Sequence, residues 1–163
     1  MSAVLSDCGL YRYRLERHAL GGAGAVAWIM VNPSTADAST DDPTIRRVIG
    51  FSKRLGAGWA IVGNKFAYRA TDVTALKTRS DPTGPDNVAH LVEIMRDASI
   101  VIAAWGPLAK LPKRLRHQWR TVAAIADQIG RPLMCLGTAQ DGHPRHPLML
   151  AGDTPLIEWK RPL

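Results

Sequence analysis

The chain has 163 residues, 46% of them apolar and 21% charged, which suits one soluble globular domain over 1–163 with a single core. Its 21 Lys and Arg against 14 Asp and Glu leave a net charge of +7, a footprint shared by polyanion-binding domains and by merely basic soluble proteins. No apolar run reaches the ~18 residues of a membrane helix, and the opening Met-Ser-Ala-Val-Leu-Ser-Asp has neither a basic start nor a long apolar stretch. A membrane partner and a secretory leader are therefore not expected, and a cytoplasmic location is. Cys8 and Cys135 lie far apart in no CxxC pair and read as reduced structural thiols.

Residues 10–16 alternate apolar and charged side chains and predict an edge strand with one wet face. Gly21-Gly-Ala-Gly is a turn. Residues 25–31 form a first buried strand that stops abruptly on Asn32-Pro33-Ser34-Thr35. Asp42, Pro43 and Gly56 frame a helix with an acidic cap, a proline in its first turn and a glycine stop. A second buried strand, 59–63, ends on Asn64-Lys65-Phe66-Ala67-Tyr68-Arg69. Residues 71–84 read as loop, 86–98 as a helix and 99–105 as a third buried strand ending on Gly106-Pro107. A helix over 115–129 is stopped by Gly130. A fourth buried strand, 132–136, precedes Gly142-His143-Pro144-Arg145-His146-Pro147, and 156–159 reads as a short closing strand.

This alternation predicts an α/β three-layer sandwich: a central four-stranded, mostly parallel sheet flanked by helices. In such a sheet ligands bind outside the carboxyl ends of the strands, so Asn32, Asn64, Trp105 and the two histidines converge. The glycines at 21–24 precede the first strand and lack the GxGxxG spacing, and no Walker A sequence is present, so no nucleotide cofactor is expected.

An Asn carboxamide pairs a donor with an acceptor and matches the edge of a nucleobase or another amide. Histidine near neutral pH donates to a developing oxyanion or acts as acid or base. Aromatic side chains beside such a pocket stack on a base. Each residue also has a plainer reading: Asn32 and Ser34 as turn caps, Asn64 as a partner for loop backbone, Asp42 as a helix cap, His143 and His146 as loop histidines. An HxxH pair in a proline-rich loop is poor geometry for a metal, and none is expected. Lys110-Leu-Pro-Lys113-Arg114-Leu-Arg116-His-Gln-Trp-Arg120 carries five cations and a tryptophan within eleven residues, the strongest polyanion signal in the chain.

Met30-Val-Asn-Pro-Ser-Thr-Ala-Asp37, Asp42-Pro-Thr, Asn64-Lys-Phe-Ala-Tyr-Arg-Ala-Thr71, Asp81-Pro-Thr-Gly-Pro-Asp-Asn87, Ala104-Trp-Gly106 and Asp141-Gly-His-Pro-Arg-His-Pro-Leu148 resemble a bacterial family described only as a domain of unknown function. The resemblance spans nearly the whole chain. That family in turn resembles the uracil-DNA glycosylase superfamily.

The resemblance implies a water-positioning motif at Asn32-Pro33 and a uracil-reading Asn64. It also implies a histidine, His143 or His146, that contacts a uracil carbonyl oxygen, and a wedge at Leu148 or Met149. Pro33, Ser34 and Arg69 then border the base, with Phe66 or Tyr68 stacking on it or serving the core. Lys113, Arg114, Arg116 and Arg145 grip DNA. The pattern departs from the superfamily where an Arg-His pair replaces the usual Ser. It departs again where no Asp directly precedes Pro33, and no four-cysteine iron–sulfur set is present.

The expected function is excision of uracil or another deaminated base from DNA, with base flipping, by a monomer. The alternatives are an N-ribosidase acting on a small nucleoside and a non-catalytic nucleic-acid-binding module.

Overall fold

The computed structural model describes residues 1–163. Ala25–Met30 is buried at every position. Side chains alternate across a strand, so each face of this one needs its own cover. Ala25, Ala27 and Ile29 pack with Leu91, Ile94, Met95, Val122 and Ile125. Val26, Trp28 and Met30 pack with Ile45, Val48 and Phe51. Helices therefore cover both faces, α1 (Pro43–Arg54) on one and α2 (Asn87–Asp97) with α3 (Trp119–Gln128) on the other.

The strands are β1 (Ser2–Leu5), β2 (Arg12–Arg17), β3 (Ala25–Met30), β4 (Trp59–Asn64), β5 (Ile100–Ala103), β6 (Leu133–Cys135) and β7 (Ile157–Glu158). They form one seven-stranded sheet in the order β1-β2-β4-β3-β5-β6-β7. The four predicted buried strands are its parallel centre, with Met30 beside Asn64 and Ile29 beside Ala103. The sheet as a whole is mixed, which corrects the expected four strands: β1 and β2 extend it antiparallel beyond β4, and β7 closes the other side antiparallel to β6.

The expected edge strand is interior, between β1 and β4, and its arginines are not wet. Arg12 and Arg17 are 3% and 2% exposed because residues 36–41 fold over them. Arg17 donates to the Asp41 carboxylate at 2.6 Å and to the carbonyls of Asp37 and Thr40. Arg12 donates to the Ala36 carbonyl. Burial lowers the Arg12 pKa to about 10, still far enough above neutrality to keep its charge.

Helix α1 starts as predicted: the Asp42 carboxylate accepts from the Ile45 amide at 2.8 Å and Pro43 opens the first turn. The predicted loop at 71–84 contains a 3₁₀ turn, Val73–Thr78. The helix expected from residue 115 begins at Trp119, preceded by a second 3₁₀ turn, Lys113–Gln118. Phe66, Leu76, Leu111 and Leu115 bind these two turns together in a small separate core.

Gly63 lets β4 pass close under α2. A Cβ there would lie 2.9 Å from Ile94 Cδ1 and 3.1 Å from Leu91 Cδ2. Gly63→Ala is expected to cost about 1–3 kcal/mol through this overpacking, read as a lower urea midpoint with an unchanged m-value; a midpoint equal to wild type would show that the helix yields freely.

Candidate functional site

The chain leaves β3 toward α1 and β4 on one side, and enters β5 on the other. The carboxyl ends of β3 and β5 thus border a topological switch point, where a crevice opens because the two crossovers diverge. Val31 and Asn32 follow β3, and Trp105, Gly106 and Pro107 follow β5. Together with Thr71–Val73, Lys110, Leu111, His146 and Leu148 they line a cleft of about 440 Å³, within the range of small-ligand sites. Gly106 makes its turn at φ +77°, which a residue with a Cβ rarely adopts.

Three polar side chains in this cleft have defined states. The Asn32 amide nitrogen donates to the Ala70 carbonyl at 2.8 Å and to the Pro33 carbonyl at 3.1 Å. Its Oδ1 makes no hydrogen bond within the chain, so the carboxamide is fixed with an acceptor to spare. His146 Nδ1 accepts from the Leu148 amide at 3.2 Å, which places the proton of the neutral ring on Nε2. Burial, and then the nearby Lys110 charge, lower the His146 pKa and hold the ring neutral. The Asp72 carboxylate accepts from the Thr74 amide at 2.9 Å, a bond that lowers its pKa and keeps it ionised.

A second set of groups lies behind Trp105. The Trp105 indole N–H donates to His143 Nδ1 at 3.4 Å. His143 is 4% exposed, with Trp119 and Trp159 centred 5.4 and 5.8 Å away, and burial lowers its pKa. Asp141 accepts from the amides of Leu108 and His143 at 2.8 and 3.1 Å. Lys65 has no exposed surface, and its ammonium has no hydrogen-bond partner. The rings of Trp105 and Phe66 lie 5.1 and 5.9 Å from its Nζ. Burial drags its pKa down to about 7, opposed by the Asp141 charge. The Asn64 amide nitrogen is likewise buried and unpartnered.

The structure brings Asn32, His146 and Leu148 to the cleft and leaves other expected residues out of it. Asn64 is 2% exposed at the end of β4, its carbonyl held by the Asn87 amide nitrogen at 2.9 Å. His143 is enclosed by tryptophans, so the two histidines do not act together. Phe66 belongs to the core and cannot stack on a ligand. Tyr68 lies under the Arg79 guanidinium, 4.2 Å from its ring centroid, and accepts a hydrogen bond from it. Arg69 donates to the Gly9 carbonyl. Pro33 is buried and Ser34 half-buried, neither lining the cleft.

The basic run divides by task. Arg114 donates through Nη2 to the carbonyls of Leu76, Lys77 and Arg79, which ties it to backbone, and it lines neither cavity. Lys113 and Arg116, with Lys77 and Lys110, line a groove of about 370 Å³ that shares Lys110 and Leu111 with the cleft. Arg145 is exposed and lines neither cavity. The sequence reading missed Asp72 and Lys110 as cleft residues and Lys65 as a buried cation behind the cleft. The signal for Lys110 was its place in the basic run and for Lys65 its place at the end of β4; Asp72 reads as an ordinary cap of the turn Val73–Thr78. No group of three or more His, Cys, Asp or Glu comes together as a metal set.

Parallel centre, covered faces and a crevice at the switch point define an open α/β domain. The chain belongs to the family described as protein of unknown function (DUF1643), whose profile matches residues 12–148. No curated protein and no solved structure matches it.

The buried Lys65 gives a pH test. Its proton is held up to about pH 10.5 in the unfolded chain and only to about pH 7 in the fold. The burial penalty is therefore fully present below pH 7 and is relieved as pH rises from 7 toward 10.5. Lys65→Met is expected to stabilise the protein by on the order of 3–5 kcal/mol at about pH 6, with the gain shrinking toward about pH 10. Denaturant melts of both proteins at the two pH values check this, and a destabilised variant at acid pH would show that Lys65 has a partner in solution.

Proposed function

We propose that the chain is a DNA glycosylase that hydrolyses the N-glycosidic bond of uracil or another deaminated base. One observation carries the reading: a cleft of the size class of small-ligand sites, at the switch point, with one uncommitted acceptor, Asn32 Oδ1, and one uncommitted donor, the His146 Nε2–H. The motif resemblance at Asn32-Pro33 and His143–Leu148 supports it.

The base must leave the duplex stack, at a cost of a few kcal/mol. Leu148 and Met149, 38% and 89% exposed on the short turn at the cleft rim, are suited to fill the gap left behind. Within the cleft the bond from C1′ to the ring nitrogen lengthens, and negative charge moves onto the ring and its carbonyl oxygens. A neutral His146 donates its Nε2–H to such an oxygen, as an oxyanion hole does. Neutrality matters, because the Nδ1 lone pair is needed for the Leu148 amide. Asn32 Oδ1 accepts from the attacking water. The ionised Asp72 at the cleft wall favours the positive charge that gathers on the sugar. Water oxygen bonds to C1′, the ring nitrogen keeps the bonding pair, and the displaced water proton neutralises the departing base. Asn64, buried behind the wall, has no role in this scheme.

The test is base release from an oligonucleotide carrying one uracil or one hypoxanthine, single- and double-stranded, followed by alkaline cleavage. Free base with an alkali-labile abasic site is expected. His146→Ala should slow release by about 10²–10³-fold, and the wild-type rate should fall in acid with an apparent pKa below the usual histidine value of ~6.5. Release from free deoxyuridine but not from DNA would make the protein a nucleoside hydrolase. Bound DNA with no release of any base would make it a binding module.

A further inference from the structure

The groove beside the cleft gathers positive charge that the fold does not neutralise. Lys77 comes from the 3₁₀ turn Val73–Thr78, Lys110 from the segment after Trp105, and Lys113 and Arg116 from the second 3₁₀ turn. None of the four forms an ion pair, and no carboxylate lines the groove. Like charges converging from separate turns repel, at a cost that a bound anion reverses. The Arg116 guanidinium is already oriented: Nε donates to the Leu111 carbonyl at 3.0 Å and Nη2 to the Ala109 carbonyl at 3.1 Å.

The groove is not a separate patch. Lys110 and Leu111 are wall to both groove and cleft, so a ligand filling both places its anionic part directly beside the part held in the cleft. Cations on several sides suit a group with oxygens pointing several ways.

We propose that the Lys77–Lys110–Lys113–Arg116 groove is a phosphate-ester subsite, holding the phosphate next to the nucleoside whose base occupies the cleft. It rests on the proposed function for the nature of that neighbour. The phosphate belongs either to the backbone of a strand or to a free nucleotide. Nucleic acid in the first case runs over the two 3₁₀ turns and not over the loop that carries Arg145.

The test uses the full chain, a labelled single-stranded oligonucleotide with one uracil, and fluorescence anisotropy over a series of salt concentrations. Lys77→Gln, Lys110→Gln and Lys113→Gln change exposed side chains, and Lys53→Gln and Lys160→Gln, equally exposed but elsewhere, serve as controls. Each groove variant is expected to lose about three- to tenfold in affinity and about one unit of salt slope, with the controls near wild type. Groove variants indistinguishable from the controls overturn the proposal.

Competition separates the two sources. Displacement by deoxyuridine monophosphate far better than by deoxyuridine supports the phosphate of a free nucleotide, and displacement by oligonucleotide alone supports a strand phosphodiester. Deoxyuridine competing as well as either overturns the subsite. Binding is read without base release, so the two proposals fail separately. Lysine-dependent binding with no release sinks the glycosylase reading alone. Undiminished release by the triple Lys→Gln variant sinks the phosphate subsite alone.

Discussion

Strand β3 is the constraint on which the other parts depend. It has parallel neighbours on both sides and a packed layer on both faces. Nothing along its length meets water, so its polar successors can emerge only beyond its carboxyl end. The crossover to β4 goes to one side of it and the crossover to β5 to the other. A cleft at Asn32 follows from strand order before any side chain is considered. Trp105 closes the other side because β5 ends level with β3.

The segment after β3 has little regular structure of its own, and a bare loop would hold Asn32 poorly. It is held from below by two buried guanidinium groups of β2. Charge is spent inside the sheet to fix a loop: Arg17 is matched by the Asp41 carboxylate and backbone carbonyls, and Arg12 by the Ala36 carbonyl alone. The Asn32 carboxamide is pinned in turn to Ala70, which joins the segments after β3 and β4. The cleft is thereby assembled from loops that hold one another.

The parallel centre was legible because its four strands are short apolar runs bounded by turn residues, and α1 because Asp42 and Pro43 signal its start. Strand β1 was not: Ser2–Leu5 is mostly exposed and has no pattern that separates it from a tail. Arg12 and Arg14 of β2 alternate as a wet face does; residues 36–41, distant in sequence, bury Arg12 and Arg17, while Arg14 pairs with Glu16 and Asp97. Asn32 and His146 could be found because they sit where apolar runs stop. Phe66 misled because a core apart from the sheet forms around it from two irregular turns. Arg114 and Lys113 are adjacent cations of one run, and only the carbonyls of residues 76–79 distinguish a clasp from a free charge.

That clasp has a mechanical consequence. A 3₁₀ turn of six residues has few internal bonds and poor geometry, and alone opens readily. Here one guanidinium joins the end of the turn at Val73–Thr78 to the turn at Lys113–Gln118, with Leu76 and Leu115 packed beneath. Neither turn can open without releasing Arg114 and exposing the leucines of both. The two therefore form one cooperative unit, whose amides exchange with solvent through a shared opening of lower free energy than the sheet's. The walls of cleft and groove loosen or tighten together, as a single hinged plate set against a rigid sheet.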